Sequence, residues 1–259
     1  MKLWVLDLDG VVYRGDTAIP GVSLFISKVK EKGEEVVFLT NNSAYTRAYY
    51  RNKLQKMGIS TEERDIYTSA ELLADYLTMF PHIRRVLAIG EEGLHFSLRR
   101  KGFFVTSQSF LVDAVAVGLD RRFNYQKLSL AQKAILTGAK FVTTNRDVTL
   151  PYEDGLLPGS GAILKAIEEC TGKEAEVVGK PNPFSLQLIM KERGTKREDV
   201  VVVGDRVETD ILLGKKAGVK TILVLTGVTR KEDIRNISPE NFPDQVIDKL
   251  TDLLSRWPE

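Results

Sequence analysis

Short apolar runs that alternate with helix-like patterns are the feature that most constrains how this sequence can fold. The runs are rich in Val, Ile and Leu and are bounded by turn residues, as is typical of strands buried on both faces of a parallel sheet. They cover residues 3–6, 35–39, 86–89, 114–117, 141–143, 200–203 and 221–224. Helices are predicted between them at residues 22–32, 46–57, 70–78, 91–101, 128–137, 161–171, 183–193 and 210–217. This alternation predicts an α/β fold whose parallel strands are joined by right-handed crossovers.

The composition narrows the kinds of function. The 37 Lys and Arg residues nearly balance the 35 Asp and Glu residues, and a net charge of +2 is too small for electrostatic capture of nucleic acid. The single cysteine, Cys170, rules out an intrachain disulfide framework and a cysteine-rich zinc site. No signal-peptide pattern opens the sequence, and no stretch reaches the ~18 apolar residues of a membrane span. We therefore expect a cytoplasmic protein. Because the sequence has only two histidines and one cysteine, its chemistry is expected to depend on carboxylates, lysine and hydroxyl groups.

Two acids follow the first apolar run, where the predicted strand ends. Asp7 and Asp9 are two residues apart, so an extended backbone would put both carboxylates on one side. Two close carboxylates repel each other unless a cation lies between them, and hard oxygen ligands suit Mg²⁺. The alternative is that Asp9 and Gly10 only form a turn that ends the strand.

Two further runs end in residues that suit an anion. Thr40, Asn41 and Asn42 follow the second run just before a helix, where hydroxyl, amide and backbone N–H groups favour phosphate. Lys180 follows another apolar run, and two nearby prolines restrict its backbone, so its ammonium group has a fixed direction. The simpler alternatives are an asparagine that caps the helix and a lysine that is exposed in a loop.

Two more acids follow the four valines at 200–203. Asp205 lies at the carboxyl end of the predicted strand, and Asp210 opens the next predicted helix, where an acid suits the helix dipole. Helix capping explains Asp210 well and Asp205 poorly. All of these motifs stand at the carboxyl ends of strands, which is the edge of a parallel sheet where ligands bind. Together they predict one metal site and one phosphate-binding site.

In this order the motifs resemble those of the haloacid dehalogenase (HAD) superfamily of aspartate-nucleophile hydrolases. The matching segments are Asp7-Leu8-Asp9-Gly10-Val11-Val12-Tyr13, Leu39-Thr40-Asn41-Asn42, Lys180-Pro181 and Gly204-Asp205-Arg206-Val207-Glu208-Thr209-Asp210. The segments at 40–43, 179–181 and 204–206 are most similar to the NagD-type, p-nitrophenyl-phosphatase branch, which has a type IIA cap. The resemblance extends over the whole chain, and no motif position departs from the pattern. It implies a Rossmann-like three-layer α/β/α core with a parallel sheet and an inserted α/β cap.

The resemblance also implies how the chemistry is divided. Asp7 would be the nucleophile that forms an aspartyl-phosphate. Asp9 would protonate the leaving oxygen and then activate the water that hydrolyses the intermediate. Lys180 would offset the charge between Asp7 and the phosphate group. Because the dehalogenases of the superfamily lack an acid at the position of Asp9, its presence favours phosphate esters.

Other implied roles concern binding. The residues that would bind the phosphate oxygens are Thr40, Asn41 and Asn42, together with Lys180. The cofactor would be Mg²⁺, held by Asp7, the main-chain carbonyl of Asp9, and Asp205, with Asp210 supporting the ion indirectly or through water.

The implied cap is an insertion between the second and third motifs. The catalytic core would comprise residues 1–79 and 177–259, and residues 80–176 would form a substrate-specificity cap. Loops that follow two predicted cap strands carry the residues expected to face the cleft and contact the leaving group: Asn145, Asp147 and Asp120. The alternative is that these are ordinary polar residues at loop tips.

The expected function is hydrolysis of a small-molecule phosphate monoester such as p-nitrophenyl phosphate or a nucleotide or sugar phosphate. A phosphotransferase of the same superfamily and a non-catalytic scaffold stay open as alternatives. A phospho-accepting receiver module uses similar residues, but it is a much shorter chain without the spacing of Asp7 and Asp9 and without a cap. No nucleic-acid or membrane partner is expected, and the sequence leaves the oligomeric state open, a homo-oligomer included.

Overall fold

The computed structural model describes residues 1–152 and 155–256. Its strands are β1 (Leu3–Leu6), β2 (Tyr13–Arg14), β3 (Thr17–Ala18), β4 (Glu35–Thr40), β5 (Ile66–Thr68), β6 (Arg85–Ile89), β7 (Phe104–Thr106), β8 (Ala114–Val117), β9 (Lys140–Thr143), β10 (Thr149–Tyr152), β11 (Gly155–Pro158), β12 (Glu176–Val177), β13 (Val200–Gly204), β14 (Lys220–Val224) and β15 (Gln245–Ile247). Its α-helices are α1 (Val22–Glu31), α2 (Arg47–Lys56), α3 (Ser69–Thr78), α4 (Glu92–Arg100), α5 (Tyr125–Leu136), α6 (Ser160–Thr171), α7 (Phe184–Arg193) and α8 (Leu212–Ala217). Short 3₁₀ segments lie at Glu63–Asp65, Arg197–Asp199, Lys231–Asn236, Pro239–Asn241 and Leu250–Arg256, and a π-helical turn at Val207–Ile211.

The chain divides into two compact units. The first comprises Met1–Thr40, Tyr50–Tyr67 and Lys180–Glu259, and the second comprises Asn41–Tyr49 and Thr68–Gly179. The predicted domains, residues 80–176 for the cap and residues 1–79 with 177–259 for the core, stay predictions. Residues 153–154 and 257–259 of those ranges lie outside the described residues.

The first unit is built on a six-stranded sheet in the order β15-β14-β13-β1-β4-β5. The pairings from β15 to β4 are parallel, and Leu6 of β1 lies opposite Val203 of β13 and Phe38 of β4. β1 and β13 are buried along their whole length, because both faces of each strand carry apolar side chains. This register brings the carboxyl ends of β1, β4 and β13 to one edge of the sheet.

The second unit has its own five-stranded sheet in the order β12-β9-β8-β6-β7, and all four pairings are parallel. Alternate residues of its central strands point to one face, as the two-residue period of a strand requires. That face packs against α5 and α6 in a core of buried residues: Leu87, Ile89, Val115, Val117, Ala131, Ala134, Ile135, Phe141, Leu164, Ile167 and Ala175. The antiparallel hairpin β10–β11 follows β9 along the chain.

The predicted α/β fold class is confirmed, since helices alternate with the strands of two parallel sheets. Each predicted strand is present to within one residue at either end, but the shortest strands, such as β5, β7, β12 and β15, were not predicted. The predicted helix at 210–217 is α-helical only from Leu212, because the backbone of Val207–Ile211 forms a π-helical turn. Among the described residues, no helix combines the length and the apolar character needed to cross a membrane.

Candidate active site

Lys180 lies between two carboxylates in the interior of the first unit. Its Nζ is 2.5 Å from Oδ1 of Asp7 and 2.7 Å from Oδ1 of Asp210, and it donates to the carbonyl oxygen of Leu39 at 3.2 Å. The Lys180 side chain is only 4% exposed. The structure therefore brings together residues of all four sequence motifs, and Lys180 is buried rather than exposed in a loop.

Three acids converge at the carboxyl edge of the first sheet. Asp7, Asp205 and Asp210 each offer a carboxylate oxygen, and these oxygens lie within 4.8 Å of one another. Asp205 directly follows β13, and its Oδ2 accepts a hydrogen bond from the backbone N–H of Val228 at 2.6 Å. Asp210 lies in the π-helical turn, where its Oδ2 accepts from the backbone N–H of Arg206 at 3.2 Å. Backbone donors thus fix two of the three carboxylates.

The charges within this cluster are unbalanced, because the three carboxylates share one ammonium group, that of Lys180. Burial raises the pKa of Asp7 well above its ordinary value; Lys180 opposes the rise, and Asp210 and Asp205 add to it. Burial, followed by the charge of Asp210, raises the pKa of Asp205 to about 6. Burial alone would lower the pKa of Lys180, but Asp210 and Asp7 outweigh it and raise that pKa. When all four groups are ionised, they carry a net charge of −2, which one divalent cation would balance.

The turn after β1 gives the second acid of the first motif a different environment. Oδ2 of Asp9 accepts a hydrogen bond from the hydroxyl of Tyr13 at 3.4 Å, and this carboxylate is not part of the three-acid group. Gly10 has a φ of +87°, and a Cβ at this position would lie 2.5 Å from Oδ2 of Asp205. Glycine is therefore required both by the backbone conformation and by the close approach to Asp205. The Asp-Gly turn is present, and it forms part of the acidic site.

The predicted phosphate-binding residues lie at the end of β4. Thr40 is the last residue of that strand and is buried, and Asn41 and Asn42 follow it in the segment grouped with the second unit. The side chain of Asn42 accepts a hydrogen bond from the backbone N–H of Ala44 at 3.0 Å, as in a local turn. The phosphate contacts of these residues stay a prediction.

The predicted cap residues have two kinds of environment within the second unit. Asp120 is 4% exposed, and its carboxylate lies 2.6 Å from Nζ of Lys127. Asn145 and Asp147 follow β9, and both hydrogen-bond to Asn41. That any of the three contacts a substrate stays a prediction.

A loop that the sequence analysis did not single out also contacts the acidic site. After β14, the hydroxyl of Thr226 donates to the carbonyl oxygen of Gly10 at 2.7 Å, and Val228 donates to Asp205. The Thr-Gly pair at 226–227 follows the predicted strand at 221–224, so the strand-end argument used for the other motifs could have found it.

Lys53 is a second residue that the sequence analysis missed. Its Nζ lies 4.2 Å from the centroid of the Tyr13 ring, and Tyr13 donates to Asp9. Burial raises the pKa of Asp9, and the charge of Lys53 opposes this rise. No sequence signal marks Lys53, because a lysine in the middle of a predicted helix is ordinarily a solvated residue.

Comparison with known proteins agrees with this arrangement. A family model described as haloacid dehalogenase-like hydrolase matches residues 4–104, and a second, HAD-hydrolase-like model matches residues 177–253. An acid sugar phosphatase of Staphylococcus aureus is 37% identical over 235 residues, which are 91% of this chain and 90% of that protein. The chain belongs to the haloacid dehalogenase-like hydrolases.

Solved structures resemble this haloacid dehalogenase-like hydrolase over nearly all of its length. A 4-nitrophenylphosphatase from Thermotoga maritima is 33% identical with a TM-score of 0.92, covering 98% of this chain and 97% of that chain. A glycerol phosphate phosphatase from Mycobacterium tuberculosis, solved in complex with magnesium, is 32% identical with a TM-score of 0.91, covering 97% of this chain and 76% of that chain. These relatives confirm the predicted superfamily, its p-nitrophenyl-phosphatase branch and the assignment of the chain as a phosphatase.

Proposed function

We propose that this hydrolase is a Mg²⁺-dependent phosphatase that cleaves small-molecule phosphate monoesters through an aspartyl-phosphate on Asp7. The observation that carries the proposal is the buried cluster in which Lys180 lies between Asp7 and Asp210, with Asp205 in the same group of acids. The substrate class is supported by the similar proteins, which are an acid sugar phosphatase, a 4-nitrophenylphosphatase and a glycerol phosphate phosphatase.

Asp7 acts as the nucleophile in this proposal. Lys180 binds its Oδ1, so the other carboxylate oxygen attacks the phosphorus atom; a P–O bond to Asp7 forms as the bond to the leaving oxygen breaks. Lys180 also stabilises the charge on the transferred group, since phosphoryl transfer depends mainly on positioning and electrostatic stabilisation. Water then attacks the aspartyl-phosphate, the bond to Asp7 breaks, and inorganic phosphate is released.

The residues that would hold Mg²⁺ are Asp7, Asp205 and Asp210, with the main-chain carbonyl of Asp9 as a further ligand. The donor set fits the ion, because it consists of hard carboxylate oxygens within 4.8 Å of one another and has, together with Lys180, a net charge of −2. When bound, Mg²⁺ would supply positive charge that stabilises the transferred phosphoryl group. The Mycobacterium tuberculosis relative has been solved with magnesium and with calcium, which supports a divalent ion.

Asp205→Asn is expected to abolish the stabilisation of the protein by Mg²⁺. A ligand that binds only the folded state at 100 times its Kd raises the free energy of unfolding by about 2.7 kcal/mol, and we expect an effect of that order in the parent. The variant keeps the volume of the side chain but removes the charge of a ligand. Thermal unfolding with Mg²⁺ or with a chelator measures the difference, and a parent-like increase in the variant would contradict the role of Asp205.

We also expect the stability difference between the parent and Asp205→Asn to depend on pH. The pKa of Asp205 is raised to about 6 in the folded protein, so its contribution to stability is lost as the pH rises from about 4 through 6. Without metal, the Asn variant should therefore be at least as stable as the parent at pH 7. At pH 4, the free energies of unfolding of the metal-free variant and the metal-free parent should lie closer together.

Asp9→Asn is expected to slow the hydrolysis of esters with poor leaving groups far more than the hydrolysis of p-nitrophenyl phosphate. Asp9 would donate a proton to the leaving oxygen, and p-nitrophenolate needs that proton much less than a sugar alkoxide does. Turnover of a sugar phosphate should fall by roughly 10²–10⁴-fold. The rate of the first p-nitrophenolate burst should change little, whereas later turnovers should slow because Asp9 must also activate water. Equal losses in the burst and in sugar-phosphate turnover would exclude Asp9 as the general acid.

Phosphate release from a panel of esters tests the proposal as a whole. p-Nitrophenyl phosphate, glycerol phosphate, hexose phosphates and nucleotides would be compared with Mg²⁺, with Ca²⁺ and with a chelator. We expect release that the chelator abolishes and that added Mg²⁺ restores. No release from any ester by folded, Mg²⁺-bound protein would overturn the proposal. The cytoplasmic location, the cap boundaries and a homo-oligomer stay predictions from the sequence.

A further inference from the structure

Asn41 is held by two residues that lie more than 100 positions later in the chain. Nδ2 of Asn145 donates to the carbonyl oxygen of Asn41 at 2.7 Å, and Oδ2 of Asp147 accepts from Nδ2 of Asn41 at 3.2 Å. The hydroxyl of Ser69 donates to the same carbonyl oxygen at 2.6 Å. The backbone and the side chain of Asn41 are thus fixed separately, and all of these residues belong to the second unit.

Asn145 is itself held in one orientation. Its Oδ1 accepts from the hydroxyl of Ser160 at 2.6 Å and from the backbone N–H of Asp147 at 3.0 Å. Both ends of the Asn145 amide are therefore used within the protein, and the residue is only 4% exposed. Because the polar atoms of this buried amide bind protein groups, Asn145 is better placed to hold another residue in position than to contact leaving groups of different kinds.

The segment that follows Thr40, residues 41–45, makes further hydrogen bonds within the second unit. The hydroxyl of Ser43 accepts from the backbone N–H of Leu119, just after β8, at 3.0 Å. The carbonyl oxygen of Ala44 accepts from the backbone N–H of Gly93 at 2.9 Å. A Cβ at Gly118 would lie 2.6 Å from Oγ of Ser43, so the close approach of the segment requires glycine there. We call residues 41–45 the anchored loop.

The contacts on the Asn41 carbonyl also fix the following peptide group. The carbonyl oxygen of Asn41 and the N–H of Asn42 belong to one planar trans peptide and point in opposite directions. Donors that hold the oxygen therefore fix the direction of the N–H of Asn42. Asn41 and Asn42 are the residues predicted to bind the phosphate oxygens, so the geometry of that binding depends on Asn145, Asp147 and Ser69.

We infer that Asn145 and Asp147 are positioning residues, which hold the anchored loop in the geometry that binds the phosphate group of every substrate. This role differs from the leaving-group contact predicted for them from the sequence. The inference rests on the proposed phosphatase function, and it predicts that the two residues affect affinity for phosphate itself rather than the choice among esters.

Kinetics of Asp147→Ala and Asp147→Asn test this inference. The parent and both variants would be assayed on p-nitrophenyl phosphate, glycerol phosphate and a hexose phosphate, with inorganic phosphate as a competitive inhibitor. For the Ala variant we expect kcat/KM to fall by roughly 10- to 100-fold on all three esters, because a small misplacement of binding groups has effects of that size. The inhibition constant of inorganic phosphate should rise as well. The Asn variant keeps an acceptor for Nδ2 of Asn41 without the charge and should recover most of the loss.

Amide hydrogen exchange of the anchored loop gives a readout that does not depend on activity. Exchange should be faster in the Ala variant than in the parent and the Asn variant. Asp113→Ala is the matched control, because Asp113 accepts from the backbone N–H groups of Arg84 and Arg85 and precedes β8, at the opposite edge of the sheet. This control should lose stability while keeping its kcat/KM and the exchange rates of the anchored loop.

Several outcomes would overturn the inference. One is a changed ranking of the three esters with an unchanged inhibition constant for phosphate, as a leaving-group contact would produce. Another is an Asn variant as impaired as the Ala variant, and a third is unchanged exchange in the anchored loop. An active parent with an unaffected Ala variant would overturn this inference alone. A folded parent without phosphatase activity would overturn the proposed function and this inference with it.

Discussion

Asp7→Asn is expected to lower kcat by at least about 10⁴-fold, as the loss of a covalent nucleophile does in other hydrolases. The amide keeps the size of the side chain, but its oxygen is a far weaker nucleophile than a carboxylate oxygen. The hydrogen bond from Nζ of Lys180 to Oδ1 can persist, so the fold should survive the change. Because the repulsion among Asp7, Asp205 and Asp210 decreases, the metal-free variant should unfold at a temperature no lower than the parent does.

Trapping the intermediate makes this prediction specific to covalent catalysis. Acid quenching of the parent during turnover should leave one phosphoryl group on the peptide that contains Asp7, detected by mass spectrometry, and the Asn variant should show none. Asp16→Asn is the matched control, since the Asp16 side chain is 87% exposed and its carboxylate forms an ion pair with Lys53. It should keep parent-like turnover. Full activity in the Asp7 variant would exclude Asp7 as the nucleophile.

Most of the acidic site could be predicted from the sequence because Asp7 and Asp205 directly follow buried strands. A parallel register brings such positions to one edge of a sheet, and the structure does bring Asp7 and Asp205 together there. Taken alone, Lys180 has the pattern of an exposed loop lysine, and it could be predicted only together with the other motifs that follow buried strands. Its contacts with Asp7 and Asp210 show why a lysine is buried at this position.

Other features depend on contacts that local patterns do not encode. The hydrogen bond between Asn145 and Asn41 joins residues 104 positions apart, and nothing in either segment indicates the other. Asp120 has the pattern of a cleft residue, but its carboxylate forms an ion pair with Lys127 in the following helix. Short strands such as β7 and β12 have too few residues to show a two-residue period, so the sheet, rather than the local sequence, determines them.

Lys180→Met is expected to lower kcat by roughly 10²–10³-fold or more. Effects of this size are seen when one preorganised electrostatic group is removed from an active site. Methionine keeps much of the length of the side chain but removes its charge. The pKa of Asp7 is already raised by burial, and Lys180 is the group that opposes this rise most strongly. Without Lys180, Asp7 would hold its proton to higher pH, and the pH at which activity appears should move upward.

The same variant should lose stability, because it leaves Asp7 and Asp210 buried without their shared partner. Removing one partner of a buried ion pair costs about 3–5 kcal/mol. The loss should grow with pH: the folded-state pKa of Asp7 is raised, so its contribution to stability is present in acid and is lost as the pH rises through that value. Lys215→Met, which removes an exposed ion pair with Asp244, should cost no more than about 1 kcal/mol. Adding Asp210→Asn to Lys180→Met should restore stability but not turnover, because it removes a buried charge without replacing the ammonium group at the phosphate.

Parent-like stability of Lys180→Met at pH 8 would show that the cluster is solvated, and parent-like turnover would exclude Lys180 from the reaction.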